Sequence, residues 1–445
     1  MLVEFSVSNF RSFCDEATLS MVAGKKKSRE RLLDSQATFQ LIEPDLRLLK
    51  CAAIYGANGA GKSNLFKALG FMRSFVIESA NAEDIDKEIE FTPFLLNDLS
   101  RNQPSKFRIV FVVGKVTYEY GFALTKTHVV EEWLLRKQEG AARTVELFSR
   151  KESDFKPHPS FKEAVGIDTK TRKNALFIST CAQFNGLIST EVLRWFKQLR
   201  IVSGLSDGAF LSFTKSSLRE DKKAAGVRAV VDAFDLGFSS LGSVKDERKL
   251  GAELDSFPPE MAGLAAELKK LVAKANPNQY RILTKHPVFD KHGLKSSEIE
   301  FDLEKDESEG TKKLVAFAGP LSDALSSQYV LVIDEFDARL HPLITKQIIS
   351  MFNGEKSNPA NAQLIVATHD TNLLDKDLMR RDQIWFVEKD ALGESHLTSL
   401  VEYKVRNDAS YEKDYIIGKY GAIPFLGSSD KVFVTSKTTK SGIKK

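Results

Sequence analysis

Cysteine is scarce: Cys14, Cys51 and Cys181 are the only three in 445 residues. An odd, scattered set gives neither a disulfide framework nor a cysteine-based zinc site. Long apolar runs are missing too, since no stretch approaches the roughly 18 consecutive apolar residues of a membrane span, and no membrane role is expected. The opening MLVEFSVSNF lacks the basic region and apolar core of a secretory signal, so a cytoplasmic location is the expectation. Nor is there an excess of one charge. The 64 basic and 60 acidic residues leave a formal +4, short of the basic excess typical of a dedicated DNA binder. The run Lys25-Lys26-Lys27 with Arg29 and Arg31 reads first as a solvated loop. His128, His158, His286, His292 and His396 are scattered without ligand spacing.

What is present is ordinary globular material, 42% hydrophobic and 28% charged. The length suits about three domains, or one large domain with insertions. Residues 2–10 alternate as a strand does, and FRIVFVV, VTYEYGFAL, HVVEEWLL and TVELFS read as an antiparallel meander between about 105 and 150. Helical periodicity dominates 186–295, in ISTEVLRWFKQLRIV, SLREDKKAAGVRAVVDAFDLG and PEMAGLAAELKKLVAKA. From 296 strands and helices alternate again. The Ser/Thr/Lys-rich segment 427–445 has a disorder-type composition.

The sharpest local signal is Gly56-Ala57-Asn58-Gly59-Ala60-Gly61-Lys62-Ser63. It satisfies G-x-x-x-x-G-K-[ST] and lies between an apolar strand (LRLLKCAAIY) and a helical pattern. Glycines let backbone N–H groups converge on an anion, and the helix N-terminus adds its positive end. Lys62 is expected to reach the β- and γ-phosphates of ATP, and the Ser63 hydroxyl to ligate Mg²⁺. Val330-Leu331-Val332-Ile333-Asp334-Glu335 reads as a buried parallel strand ending in two acids. Ligands of open α/β sheets lie beyond such strand ends, which places Asp334 in the Mg²⁺ shell and Glu335 as the base for the attacking water.

Three further pieces narrow the class: Glu307-Ser308-Glu309-Gly310-Thr311, whose Gly310 stands 24 residues before Asp334; Phe336 to Pro342 directly after the acids; and Leu364-Ile365-Val366-Ala367-Thr368-His369-Asp370. With GANGAGKSN and the opening FSVSNFRSF, the set resembles an ABC-class ATPase head of the SMC/RecF-like branch. The fold class implied is α/β: a phosphate-loop NTPase with an ABC-type head, an antiparallel β subdomain and a mainly helical insertion. The divisions expected are 1–185, an N-terminal ATPase lobe with the phosphate loop and meander; 186–295, the insertion; 296–426, a C-terminal ATPase lobe; and 427–445, a disordered tail. More narrowly, SVSNFRSF, AAIYGANGAGKSNLFKAL, ESEGTKKLVAFAGPL, VLVIDEFDARLHPL, QLIVATHDTNLLD, RRDQIWFVEKD and KYGAIPFLG resemble bacterial ATPases of abortive-infection and anti-phage systems, the RloA/AbiL type.

That resemblance implies roles by position. Residues 307–311 become the signature loop, with Ser308 and Gly310 matching its functional Ser and second Gly. Glu309 and Thr311 depart from LSGGQ. Asp337 belongs to the D-loop, His369 is the switch histidine, and Arg11 lies near the nucleotide, with a surface ion pair as its alternative. Asn64 extends the phosphate-binding set. Gln183 is the Q-loop candidate for Mg²⁺, with a surface-loop Gln weighed equally. One phosphate loop and one signature per chain imply a head-to-tail homodimer sandwiching two ATP molecules, with higher oligomers left open. Hydrolysis is expected to be slow and regulatory. The family resemblance implies a separately encoded, nuclease-like partner of Toprim type and a nucleic-acid or phage-protein trigger. The alternative is a RecF/SMC-like DNA-binding ATPase of repair or chromosome maintenance. Intrinsic nuclease activity and a transporter engine are disfavoured.

Overall fold

Five apolar runs, at 51–55, 199–203, 330–334, 363–367 and 384–389, converge on one sheet in the computed structural model, which describes residues 1–24, 31–40, 46–81, 87–205, 207–245, 280–406 and 409–424. The spatial order is Leu199–Ser203, Val330–Asp334, Gln363–Ala367, Cys51–Tyr55, Ile384–Lys389, Ser395–Ser399. The first five strands are parallel and the last is antiparallel. Cys51–Tyr55 and Gln363–Ala367 are buried along their whole length, because both faces of the sheet are covered. Ala52, Ile54, Val332 and Ile365 face one core with the helix Lys62–Glu78, whereas Ala53, Tyr55, Leu331, Ile333 and Val366 face the other.

The first core is closed by an antiparallel sheet of seven strands. It contains Leu2–Ser8 and Ala17–Ser20 beside the meander Ser105–Val113, Val116–Leu124, Val129–Gln138, Val145–Lys151 and Asp154–Pro157. Phe10, Phe71, Phe107 and Phe122 pack between this sheet and the helix Lys62–Glu78 at ring separations of 5.1–5.9 Å.

The second core holds the helix Glu309–Ser327, against which Asp207–Ser217 and Asp221–Asp232 pack. Pro320 lies inside that helix and has no N–H for the carbonyl of Ala316. The buried Thr214 side chain fills the gap: its Oγ1 donates to Ala316 O at 2.7 Å and accepts from Gly319 N at 3.1 Å. A small antiparallel sheet of Ser240–Lys245, Tyr280–Phe289 and Lys295–Asp302 extends from this lobe.

Two expectations change here. The segment 186–295 is not simply an insertion, since Leu199–Ser203 is an edge strand of the central sheet and 240–245 and 280–289 are strands. Gln183, expected in a loop, instead ends the helix Phe177–Gln183. The buried Glu132 carboxylate caps it, accepting from Phe177 N at 2.7 Å and Ile178 N at 3.0 Å. Tyr120 Oη (3.0 Å) and Arg150 (3.6 Å) hold that carboxylate in turn. The basic run at 25–30, the helical pattern at 259–275 and the tail 427–445 lie outside the described residues.

Candidate nucleotide site

The phosphate loop leaves the buried strand Cys51–Tyr55 and enters the helix at Lys62. Gly61 has φ 122°, and a Cβ there would stand 2.9 Å from Ser12 Oγ and closer still to Ser395 Oγ. Both space and backbone geometry therefore demand glycine. Those serines brace the loop: Ser395 Oγ donates to Ala60 O, and Ser12 Oγ accepts from Asn64 Nδ2 at 2.9 Å. That bracing does not show in the sequence, because each serine lies far along the chain from the motif it supports.

Lys62 is buried and its Nζ donates to Gly56 O at 2.7 Å and Ala57 O at 3.3 Å. Burial lowers its pKa from the ordinary lysine value, against the opposing pull of Asp334, Asp337 and Glu335. A cavity of about 370 Å³ opens over the loop. Residues 57–59 and 61–64 line one side, with Asp334, Glu335, Ala367 and His369 opposite.

The acidic pair sits on a tightly held turn. Glu335 has φ 51°, a left-handed conformation uncommon outside glycine. Its flanking peptides are pinned by Gly204 N to Asp334 O (2.6 Å), Phe336 N to Ala367 O (3.0 Å) and Ala338 N to Glu335 O (3.1 Å). Asp337 Oδ1 accepts from Thr368 Oγ1 at 2.7 Å and from His369 N at 3.1 Å. This ties the turn after the acids to the strand end that presents His369. Partial burial and nearby Lys62 lower the His369 pKa, outweighing Asp337, Glu335 and Asp334.

The Ser308 turn lies apart from that cavity lining. Ser308 caps the helix Glu309–Ser327, its Oγ accepting from Thr311 N at 3.1 Å. Ser308 is exposed, and only Ser308 Oγ, at 3.8 Å, neighbours the position of a Cβ on Gly310. Glu309 pairs with Lys312 at 2.9 Å and approaches Arg339 at 3.9 Å. The Lys312 ammonium, with help from Arg339, lowers its pKa.

Lys62, Ser63, Asp334, Glu335 and His369 thus share one cavity, and Asp337 is bonded directly behind it. Besides Ser308 and Gly310, two sequence-derived residues, Gln183 and Arg11, are not brought there. Gln183 is a correction: it ends the helix Phe177–Gln183, and its Nε2 donates to Ala80 O at 2.8 Å. Ala80 lies beyond the far end of the 17-residue helix that starts at Lys62, about 25 Å from the loop at 1.5 Å per residue. Gln183 therefore does not reach a metal at Ser63. Arg11 is exposed with φ 52°, its guanidinium 5.7 Å from the Phe10 ring centroid. Arg11 is not part of the cavity lining, and its neighbour Ser12 meets that lining only through the hydrogen bond from Asn64. Gly204 was missed, since its approach to Glu335 spans 131 residues of sequence.

The donor set fits a hydrated divalent cation. The Ser63 hydroxyl and Asp334 carboxylate line the same cavity, and oxygen ligands of this kind suit Mg²⁺ beside a triphosphate. No helix among the described residues is long and apolar enough to cross a membrane.

The family described as "AAA domain, putative AbiEii toxin, Type IV TA system" matches residues 51–375, nearly three quarters of the chain. No curated protein matches. Among solved structures, an SMC head bound to the C-terminal winged-helix domain of ScpA is 12% identical with a TM-score of 0.43, covering 89% of this chain and 97% of that one. The SMC head domain from Thermotoga maritima is 12% identical, with 89% and 98% covered and a TM-score of 0.39. The recombination mediator RecF is 14% identical, with 89% and 98% covered and a TM-score of 0.29.

Proposed function

Because the chain belongs to this AAA-domain family, we propose that it is an ATP-driven association switch of the ABC type. Two copies close head to tail over two ATP molecules, and hydrolysis reopens them. One observation carries the reading. The cavity joins the phosphate loop to the acidic pair and His369, whereas the Ser308–Gly310 turn faces solvent outside that lining. A helix N-terminus with a small residue and a hydroxyl suits a γ-phosphate, and a second chain can supply it. Leu205, next to Gly204, and Leu343, in the first turn of the helix Pro342–Asn353, are exposed apolar residues.

In this reading Lys62 and the loop N–H groups hold the β- and γ-phosphates. Ser63 and Asp334 would hold Mg²⁺, which would neutralise charge on the phosphate oxygens. Glu335 takes a proton from water as its oxygen attacks the γ-phosphorus. The bridging P–O bond breaks, and ADP leaves with phosphate. His369 orients the γ-phosphate, and Ser308 and Gly310 of the partner copy close the site. Contacts present only with the γ-phosphate bias the closed state.

For the process served, a RecF/SMC-like DNA-binding role comes first, since it needs only this chain and a duplex. The second reading is an anti-phage sensor governing a separate nuclease-like effector, favoured by the toxin–antitoxin description of the family. Light scattering of Glu335→Gln with and without ATP tests the switch: the expected result is an ATP-dependent doubling of mass, and an unchanged monomer refutes it. Salt-sensitive stimulation of ATPase activity by duplex DNA supports the first role, and its absence favours the second.

A further inference from the structure

The strand Leu199–Ser203 pairs in parallel register with Val330–Asp334, so that Ser203 stands opposite Asp334. The next residue, Gly204, is buried and donates its N–H to Asp334 O at 2.6 Å. A Cβ on Gly204 would lie 2.9 Å from Glu335 C and 3.0 Å from Asp334 O, and nearer still to Glu335 O. All three are backbone atoms, which cannot swing aside as a flexible side chain does. Gly204 is not among the residues of positive φ, so the demand for glycine is one of space and not of backbone conformation. What it presses on is the turn that holds Glu335 in its left-handed conformation.

We propose that Gly204 is the positioning residue of the catalytic carboxylate. Its N–H and bare Cα form the wall against which the Asp334–Glu335–Phe336 turn is set, fixing the direction in which the Glu335 side chain enters the cavity. Gly204 touches neither nucleotide nor water; it acts through Glu335. The inference rests on Glu335 being the base, as proposed above. On the far side of Gly204 the chain runs into Asp207–Ser217, whose Thr214 is bonded to the helix that carries Ser308 at its N-terminus. The wall therefore belongs to the segment that, within one chain, links the Glu335 half-site to the Ser308 turn offered to the other composite site.

The test is Gly204→Ala, followed by fluorescent ATP-analogue binding and steady-state hydrolysis. Pushing the Glu335 carbonyl by a fraction of an ångström to 1 Å is expected to lower kcat about 10²-fold. Nucleotide affinity should stay within about threefold, because Lys62 and Ser63 lie on another strand–helix unit. The double variant Gly204→Ala/Glu335→Gln should be no slower than Glu335→Gln alone, as expected of residues acting as one unit. Hydrolysis by Gly204→Ala within about threefold of wild type overturns the proposal. So does a double variant slower than Glu335→Gln by the full Gly204→Ala factor. Should Gly204→Ala fail to fold, the wild-type protein decides by hydrogen exchange with and without Mg·ATP. Joint slowing of segments 199–205 and 330–337 supports the wall, and slowing of 330–337 alone overturns it. Glu335→Gln by itself separates the two layers: wild-type turnover there refutes the base assignment, whatever Gly204→Ala does.

Discussion

The Thr214 bridge beneath Pro320 offers a stability measurement with a calculable size. Thr214→Val keeps the side-chain shape and removes the hydroxyl, which leaves the Ala316 carbonyl and the Gly319 N–H without this partner. An unsatisfied buried polar group costs about 1–3 kcal/mol. Two such groups, partly relaxed by small shifts of the helix, give about 3 kcal/mol. With an unfolding entropy of roughly 2.1 cal/mol/K per residue, that corresponds to a fall in Tm of about 3 °C for a chain of this length. Thr214→Ser retains both hydrogen bonds and loses a buried methyl, worth about 1 kcal/mol. Calorimetry on the three proteins at one concentration makes the comparison. A Thr214→Val midpoint within about 0.5 °C of wild type, or a Thr214→Ser loss equal to that of Thr214→Val, refutes the reasoning.

Glu335→Gln should cut hydrolysis about 10²- to 10⁴-fold while nucleotide binding persists, read by phosphate release beside analogue titration. Gly61→Ala should abolish analogue binding, since the added carbon meets Ser12 and Ser395 and the backbone sits at φ 122°. Gln183→Ala should leave kcat within about twofold, because its amide serves Ala80 at the far end of the helix. For pH, the folded-state pKa of His369 lies below its ordinary value of 6.5. The unfolded chain therefore binds the extra proton first as pH falls through about 6.5, and folded stability declines on that acid side. His369→Gln should reduce the drop in Tm between pH ~7.5 and ~5.5; an unchanged drop counts against this.

What could be read along the chain was whatever is contiguous. The phosphate loop compresses turn, anion nest and helix start into eight residues, and Val330–Asp334 declares itself as an apolar run ended by acids. The meander strands were legible for the same reason, each being a short β-branched and aromatic run. Gln183 was misplaced because FISTCAQ carries strand-like residues, whereas the distant, buried Glu132 carboxylate caps it into a helix and tertiary context overrides local preference. Ser12, Ser395, Gly204 and Thr214 act on atoms dozens to hundreds of residues away. No local pattern marks such contacts, and only closure of the fold reveals them.

The strand order 199–203, 330–334, 363–367, 51–55 has a consequence for how the protein is made. Each of these neighbours is stitched in from a different stretch of the polypeptide, so Cys51–Tyr55 emerges from the ribosome some 300 residues before the partner it zips against. Such long-range pairing is slow and leaves unpaired strand edges waiting. The nascent chain carries its phosphate loop without the far side of the cavity until residue 369 has been added, and only then can the two sides meet.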